Sequence, residues 1–224
     1  APMPKPPVPR TRVSPLFPVL ALCSALLAAP AAAQVSPGGN GGSARVDRFS
    51  FADPAAARVT HVSLDLRADF QARVLAGTAT LTVARAKGRE LVLDTNGLAI
   101  EAVTGAAGEP LPFTLREADP VKGRALVVTF PSEGTDAQTT IVLRYRTSPD
   151  ASALQWLEPA QTAGKAKPYL FSQGQAIQTR SWIPSQDTPG VRQTYDARIV
   201  VSEGLRAVMS AESQKTAEQT APKE

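Results

Sequence analysis

The sequence predicts an all-β protein, an antiparallel sandwich built from many short strands. From residue 58 onward, apolar and polar residues alternate over successive short runs, which is the pattern of half-buried strands. Turn residues, such as Asn96-Gly97 and the stretch 131–134, separate these runs. Because no long segment repeats its apolar residues at the helical period, helices are expected to be minor.

Residues 1–33 have the organisation of a secretory signal. A basic segment at 5–12 precedes a predominantly apolar run at 16–29, and small residues precede the bond between Ala33 and Gln34. A transmembrane helix needs about 20 apolar residues, so this run is too short for a stable membrane span. We therefore expect cleavage after Ala33 and a periplasmic or secreted protein.

The charge balance gives no support to nucleic-acid binding. The full chain has 24 basic and 20 acidic residues, and three of the basic ones lie in the signal, so the mature chain is close to neutral. Without a basic surplus there is no electrostatic argument for a nucleic-acid partner. The one cysteine, Cys23, also lies in the signal, so neither a disulfide nor thiol chemistry is expected in the mature domain.

The rest of the chain divides into three segments. Residues 34–57 include the run SPGGNGGS and are predicted to form a flexible linker. The alternating pattern fills residues 58–212, the predicted β domain. The tail, 213–224, is polar and rich in Ala, Gln and Lys, and is expected either to be disordered or to be truncated before a partner domain.

The strands can be assigned in order from the alternation. In the first strand, Val62 and Leu64 fall on an apolar face, whereas His61 and Asp65 fall on a polar face. The same alternation recurs along the domain. The predicted strands are VTHVSLDLRADF, LAGTATLTVAR, ELVLDT, LAIEAV, LPFTL, ALVVTF, TTIVLRYR, TYDARIVV and LRAVMS.

The β domain has no visible catalytic apparatus of its own. It lacks the Gly-x-Ser-x-Gly and H-E-x-x-H motifs, and its single histidine, His61, lies on a polar strand face, where a solvated role is the more common one. No pair of carboxylates is singled out for glycoside hydrolysis. Trp156 and Trp182 could form a platform for a sugar ring, although anchoring of the core is the commoner role of tryptophan.

Residues 171–195 differ from the rest because they are rich in side-chain amides. An apolar strand at 169–171 runs into Gln173 and Gln175, which at a period of two project to the same side, and the glycine between them leaves room for close approach. An amide offers a donor and an acceptor, which suits the binding of a peptide or an amine. The structural alternative is an edge strand with solvated amides.

Two ordered motifs in this region identify a resemblance. Q-x-Q-A at 173–176 is followed by P-x-Q-D-T-P-x-x-x-x-T-Y at 184–195. The chain from about Ser63 to Glu212 resembles the amino-terminal domain of zinc aminopeptidases of the aminopeptidase N and leukotriene hydrolase family, particularly the leukotriene hydrolase branch. The resemblance implies an all-β, saddle-shaped domain that lies beside a thermolysin-like catalytic domain.

The resemblance also implies roles for individual residues. In the family, a loop of this domain enters the catalytic cleft, and by position Gln175 would help to hold the free amino terminus of the substrate. Gln173 would line the same pocket, Ala176 would supply backbone, and the segment 184–189 would be the rigid turn that fixes the loop. This sequence departs from close relatives at Gly174 and at the residue after Pro184, where cysteine is common.

The family's zinc-binding motifs are not in this sequence. No cofactor is therefore predicted for this chain, and zinc is expected in a catalytic domain of the same parent chain. The first hypothesis is an amino-terminal, substrate-orienting domain of an exported zinc metallo-aminopeptidase, which binds peptide amino termini and is inactive alone. The second is a stand-alone, non-enzymatic periplasmic β module that binds peptides or a protein partner. A sugar-binding sandwich is third.

Overall fold

The computed structural model describes residues 47–86, 88–135 and 138–213. The predicted signal, most of the predicted linker and all but the first residue of the predicted tail lie outside these ranges. The strands are β1 (Ala57–Asp69), β2 (Val74–Arg85), β3 (Glu90–Thr95), β4 (Ala99–Gly105), β5 (Phe113–Leu115), β6 (Arg124–Thr129), β7 (Gln138–Arg146), β8 (Leu154–Leu157), β9 (Tyr169–Ser172) and β10 (Thr194–Val200). The described helices are two 3-10 turns, Pro159–Gln161 and Thr179–Ser181.

The strands form three sheets, which confirms the all-β class. A five-stranded sheet has the order β10-β1-β2-β7-β4, a three-stranded sheet has the order β3-β6-β5, and β8 pairs with β9. Neighbouring strands are antiparallel except β1 and β10, which run parallel. A tight hairpin forces an antiparallel pair, but β10 returns to β1 only after the chain has passed through both other sheets, so no hairpin sets its direction.

The apolar faces predicted from the alternation form the core. Val62, Leu64 and Leu66 of β1 are each at most 2% exposed, and they belong to one apolar cluster with residues of the three-stranded sheet such as Leu91 and Leu126. Full burial of each such side chain contributes about 1.5–3 kcal/mol. The polar face of β1 points away from this cluster, as the period of two requires.

One predicted strand is absent and one observed strand was not predicted. The segment LRAVMS, 205–210, is irregular, and Val208 in it is 74% exposed. Alternation alone does not make a strand, because the backbone also needs a neighbouring strand to bond, and this segment pairs with no strand in the described part of the chain. The short strand β8 exists because β9 supplies that partner.

Side chains on the polar face join β10 to β1. His61 contacts two residues of β10, its register partner Thr194 and, two residues further on, Asp196; Nδ1 lies 2.7 Å from Thr194 Oγ1 and Nε2 lies 2.8 Å from Asp196 Oδ2. The Ser63 hydroxyl donates to Asp196 Oδ1 at 2.7 Å. These hydrogen bonds, from Ser63 first and then from His61, hold the pKa of Asp196 below its usual value of 3.8. His61 thus has a structural role on the surface.

We predict that the Asp196 contribution to stability disappears in acid. Because its pKa is lower in the folded chain than in the unfolded chain, the contribution is complete above the unfolded value and is lost as the pH falls through the folded value. Asp196→Asn should lower the free energy of unfolding at neutral pH by about 0.5 kcal/mol, as is typical of exposed hydrogen-bonded side chains. Urea unfolding should show this difference shrinking below about pH 4.

The control for this prediction is Asp150→Asn, because the Asp150 carboxylate is exposed and accepts no hydrogen bond among the described residues. Its effect should be independent of pH across the same range. A difference at Asp196 that persists unchanged in acid would contradict the assignment.

Candidate functional site

The loop that carries the predicted site residues follows directly after β9. We call residues 173–178 the glutamine loop. Gln173, Gln175 and Ala176 are exposed in it, and the peptide bond between Gln175 and Ala176 is cis. The Gln173 N–H still donates to the carbonyl of Ala153 at 2.8 Å, but β9 ends at Ser172 and the chain turns after Gln173, where the Gln178 N–H donates to the Gly174 carbonyl at 2.8 Å. The interpretation of the two glutamines as neighbours on one strand face is therefore wrong, although both side chains remain accessible.

The two motifs that carry the resemblance meet at one surface. A shallow concavity lies between the glutamine loop and the segment 184–189, which we call the QDTP turn. Gln175 and Ala176 line one side of it, and the QDTP turn lines the other. Gln173 lies on the same loop but outside this lining. The remaining lining residues are Thr179, Val191 and Gln193.

Gln178 anchors the loop to the domain. With its amide nitrogen facing the two carbonyls beside it, Gln178 donates to Ser152 at 3.0 Å and to Gln173 at 3.3 Å. Its backbone N–H donates to the Gly174 carbonyl at 2.8 Å, and its own carbonyl accepts from the Ser181 hydroxyl at 2.8 Å. Gln178 has no predicted role, because nothing in its sequence spacing distinguishes it from the exposed glutamines.

Behind the loop lies a buried arginine. Arg180 is 1% exposed, and its Nε donates to Asp187 Oδ2 at 3.1 Å. The other guanidinium nitrogens donate to the backbone carbonyls of Lys122 at 2.9 Å and Asp187 at 3.0 Å, and a second carboxylate, that of Asp94, lies 3.8 Å from Nη1. A buried charge needs such pairing because its transfer from water is costly.

The Asp94 carboxylate connects the QDTP turn to β3. Asp94 is fully buried, and its Oδ2 accepts from the backbone N–H of Asp187 at 3.0 Å. The backbone of Asp94 also exchanges hydrogen bonds with Ser185, at 2.7 and 3.3 Å. Neither Asp94 nor Arg180 is among the residues predicted from the sequence. The available signal was an acidic residue inside the apolar run ELVLDT, where an unpaired carboxylate would be costly.

Gln186 in the QDTP turn has a structural role rather than a binding role. It is 3% exposed, its Oε1 accepts from the Val59 N–H at 3.0 Å, and its Nε2 donates to the Ala57 carbonyl at 2.8 Å. The amide therefore satisfies the backbone at the start of β1, where a bulge between Val59 and His61 interrupts the ladder. These two hydrogen bonds fix the QDTP turn to β1, which is a physical reason to expect the turn to be rigid.

The two tryptophans do not form a sugar platform. Trp182 is 9% exposed and belongs to the core, where its carbonyl accepts from the Tyr145 hydroxyl at 3.0 Å; burial raises the pKa of Tyr145. Trp156 is half-buried and packs edge-on against Phe70, with 5.1 Å between ring centroids. Their positions match the core-anchoring role instead.

In the ranges 47–86, 88–135 and 138–213, no cluster of three or more His, Cys, Asp or Glu side chains could hold a metal ion. Over those same residues, no helix has the length and apolar character needed to cross a membrane.

Comparison with known proteins gives a consistent match. A family profile described as the peptidase M1 N-terminal domain matches residues 58–223. The chain is 44% identical over 168 residues to leukotriene A-4 hydrolase of Xenopus laevis, covering 74% of this chain and 27% of that protein. Native leukotriene A4 hydrolase from Saccharomyces cerevisiae superposes with a TM-score of 0.66 at 31% identity, over 72% of this chain and 26% of that one.

A more distant structure shares the fold. The zinc metallopeptidase of the same family from Deinococcus radiodurans has a TM-score of 0.60 at 21% identity, covering 77% of this chain and 39% of that one. The chain thus spans about a quarter of the length of the hydrolases that it resembles in sequence.

We predict that Arg180 is essential to the stability of this region. Arg180→Ala would leave the carboxylates of Asp94 and Asp187 without their buried cation, and breaking a buried pair in this way typically costs about 3–5 kcal/mol. Urea unfolding followed by the fluorescence of Trp156 and Trp182 measures the cost. The same substitution at Arg198, which forms an exposed ion pair with Asp65 at 2.9 Å, is the matched control. Arg198→Ala should cost less than about 1 kcal/mol, and equal losses at the two sites would contradict the prediction.

Proposed function

Because this chain belongs to the peptidase M1 family, as its amino-terminal domain, we propose that it orients peptide substrates for an exported zinc aminopeptidase. The observation that carries the proposal is the contrast within one short segment. Gln175 and Ala176 are exposed at the edge of a concavity, whereas Gln178 and Arg180, a few residues on, are tied into the domain. An exposed side chain on a firmly held loop is suited to positioning a substrate.

The chemistry of the Gln175 amide fits capture of a peptide amino terminus. Its carbonyl oxygen accepts a hydrogen bond from an ammonium group, and its nitrogen can donate to a peptide carbonyl. A hydrogen bond to a charged partner is stronger than one between neutral groups, although a neutral amide binds an ammonium less tightly than a carboxylate would. Gln175 would therefore orient the substrate without itself taking part in bond cleavage.

The surface next to the loop supports contact with another domain. Tyr169 and Phe171 on β9 are 54% and 43% exposed, and Phe171 lies two residues before Gln173. Exposed aromatic side chains close to a binding loop are typical of an interaction surface. We assign this surface to the catalytic domain of the full-length protein, which would hold the zinc ion; bound there, zinc would polarise the scissile carbonyl and activate water.

Export rests on the segment 1–33 alone. Its basic, apolar and small-residue regions follow each other in the order of a secretory signal. The absence of cysteine after residue 23 is compatible with a protein that folds outside the cytoplasm without a disulfide. The proposed location is the periplasm or the extracellular medium.

The first test is the effect of Gln175→Ala on peptide turnover by the full-length protein. Loss of one hydrogen bond to a charged group should lower kcat/KM roughly ten- to a hundredfold. Because the side chain is exposed, the unfolding free energy of the variant should stay within about 0.5 kcal/mol of the wild type. Gln175→Glu should be better tolerated, since a carboxylate also accepts from an ammonium.

The control must be an exposed glutamine without an anchoring role. Gln178 is unsuitable, because its substitution would release the loop. Gln71, exposed in the β1–β2 turn, makes no side-chain hydrogen bond among the described residues, so Gln71→Ala should leave kcat/KM unchanged. If kcat/KM is unaltered in Gln175→Ala, the proposed role of Gln175 is wrong, and the exposed glutamines are solvated surface amides.

The second test concerns export. In a bacterial host that secretes the full chain, mass spectrometry of the exported protein should place its first residue at Gln34, because small residues precede that bond. An exported form that still carries the basic segment 5–12 would rule out this cleavage.

A further inference from the structure

The residues just before β1 are fastened to the domain rather than forming a free linker. We call residues 47–51 the amino-terminal strap. Ser50 is 9% exposed, and its hydroxyl donates to Asp94 Oδ2 at 2.6 Å. The backbone N–H of Phe51 donates to the other oxygen of the same carboxylate at 2.7 Å. Within the described residues, contacts with the domain are therefore already present at Ser50, ahead of the boundary at residue 58 that the sequence suggested.

The carboxylate that receives the strap is the one that holds the QDTP turn. Asp94 Oδ2 accepts from the Ser50 hydroxyl and from the backbone N–H of Asp187. The Asp187 carboxylate in turn accepts from the backbone N–H of Arg180 at 3.2 Å and from its Nε at 3.1 Å. The strap is thus joined to the start of the 3-10 turn Thr179–Ser181 through two buried or nearly buried carboxylates.

The last link is the contact between this helical turn and the glutamine loop. The Thr179 hydroxyl lies where a side chain at residue 174 would begin, so the loop packs against the turn at Gly174. Thr179 also lines the concavity together with Gln175. A displacement of the turn would therefore be transmitted to the loop by direct contact.

Two further contacts support the same connection. The Lys122 ammonium lies 4.1 Å from the ring centroid of Phe51, and the Lys122 carbonyl accepts from Arg180 Nη1 at 2.9 Å. At the other end of the strap, the Phe49 N–H and then the Thr188 hydroxyl hold the pKa of Asp47 below its usual value. The strap is therefore joined to Arg180 through Lys122 as well as through Asp94.

We infer that the amino-terminal strap positions the glutamine loop, with Ser50 and Asp94 acting as positioning residues for Gln175. This inference rests on the proposed function for its catalytic consequence, but the positioning itself can be measured without catalysis. Loss of the Ser50 hydroxyl would remove one donor from a fully buried carboxylate, whose remaining donors would have to rearrange. The motion of the loop should then increase while the sheets stay intact.

Hydrogen exchange in the 224-residue chain tests the positioning directly. In Ser50→Ala, the amides of Gln178 and Asp187 should exchange roughly tenfold faster, since a donor to a buried charged group is worth about that factor. The amide of Leu143 in β7 should be unchanged. Ser50→Thr keeps the hydroxyl and should restore slow exchange. Ser63→Ala, which removes a hydroxyl-to-carboxylate hydrogen bond of 2.7 Å elsewhere on the surface, is the matched control.

Kinetics of the full-length protein test the catalytic consequence. Ser50→Ala should lower kcat/KM on a peptide substrate, and in a Gln175→Ala background it should have no further effect, because the strap acts through that side chain. Unchanged exchange at Gln178 in Ser50→Ala, or equal acceleration at Leu143, would overturn the inference. Faster loop exchange with additive kinetic losses would retain the positioning by the strap and would instead overturn the role proposed for Gln175.

Discussion

The arrangement of the candidate site depends on the burial of one guanidinium group. Arg180 is 1% exposed, and a charge in that position must be neutralised and fully hydrogen bonded. Its partners come from three separate parts of the chain, namely β3, the residue Lys122 before β6, and the QDTP turn. Because the guanidinium group bonds to all three parts, it holds them together. The glutamine loop ends two residues before Arg180 and is positioned by the same contacts.

The amide-rich segment divides its side chains between two tasks. Gln186 and Gln178 satisfy backbone groups within the domain, whereas Gln173 and Gln175 project into solvent. A binding loop needs both kinds, because a side chain can orient a ligand only if its own backbone is held. The same chemical group therefore serves as a structural acceptor at one position and as a candidate ligand contact a few residues away.

Side-chain hydrogen bonds hold both the amino-terminal strap and β10, the last strand, to the domain. The amino-terminal strap, which precedes β1, binds Asp94 of β3. The last strand, β10, lies parallel to β1 and is joined to it by His61, Ser63 and Asp65. Because β10 forms the edge of its sheet, these side chains add to a backbone ladder that has only one neighbour. The polar face of β1, which shows no catalytic arrangement, thus has a clear structural purpose.

The sequence by itself determined the strand class, the buried faces and the location of the candidate loop. Alternation identifies the inward residues of β1 because the period of a strand is fixed by covalent geometry, and the two motifs at 173–176 and 184–195 mark the family. Only the tertiary structure decided which polar residues are buried. The Asp94 carboxylate accepts from the backbone N–H of Asp187, which lies 93 residues further along the chain, and no local sequence pattern encodes this contact. For the same reason LRAVMS alternates without becoming a strand, and Gln178 anchors the loop while Gln175 stays exposed: each depends on a partner that folding, not spacing, brings within hydrogen-bonding distance.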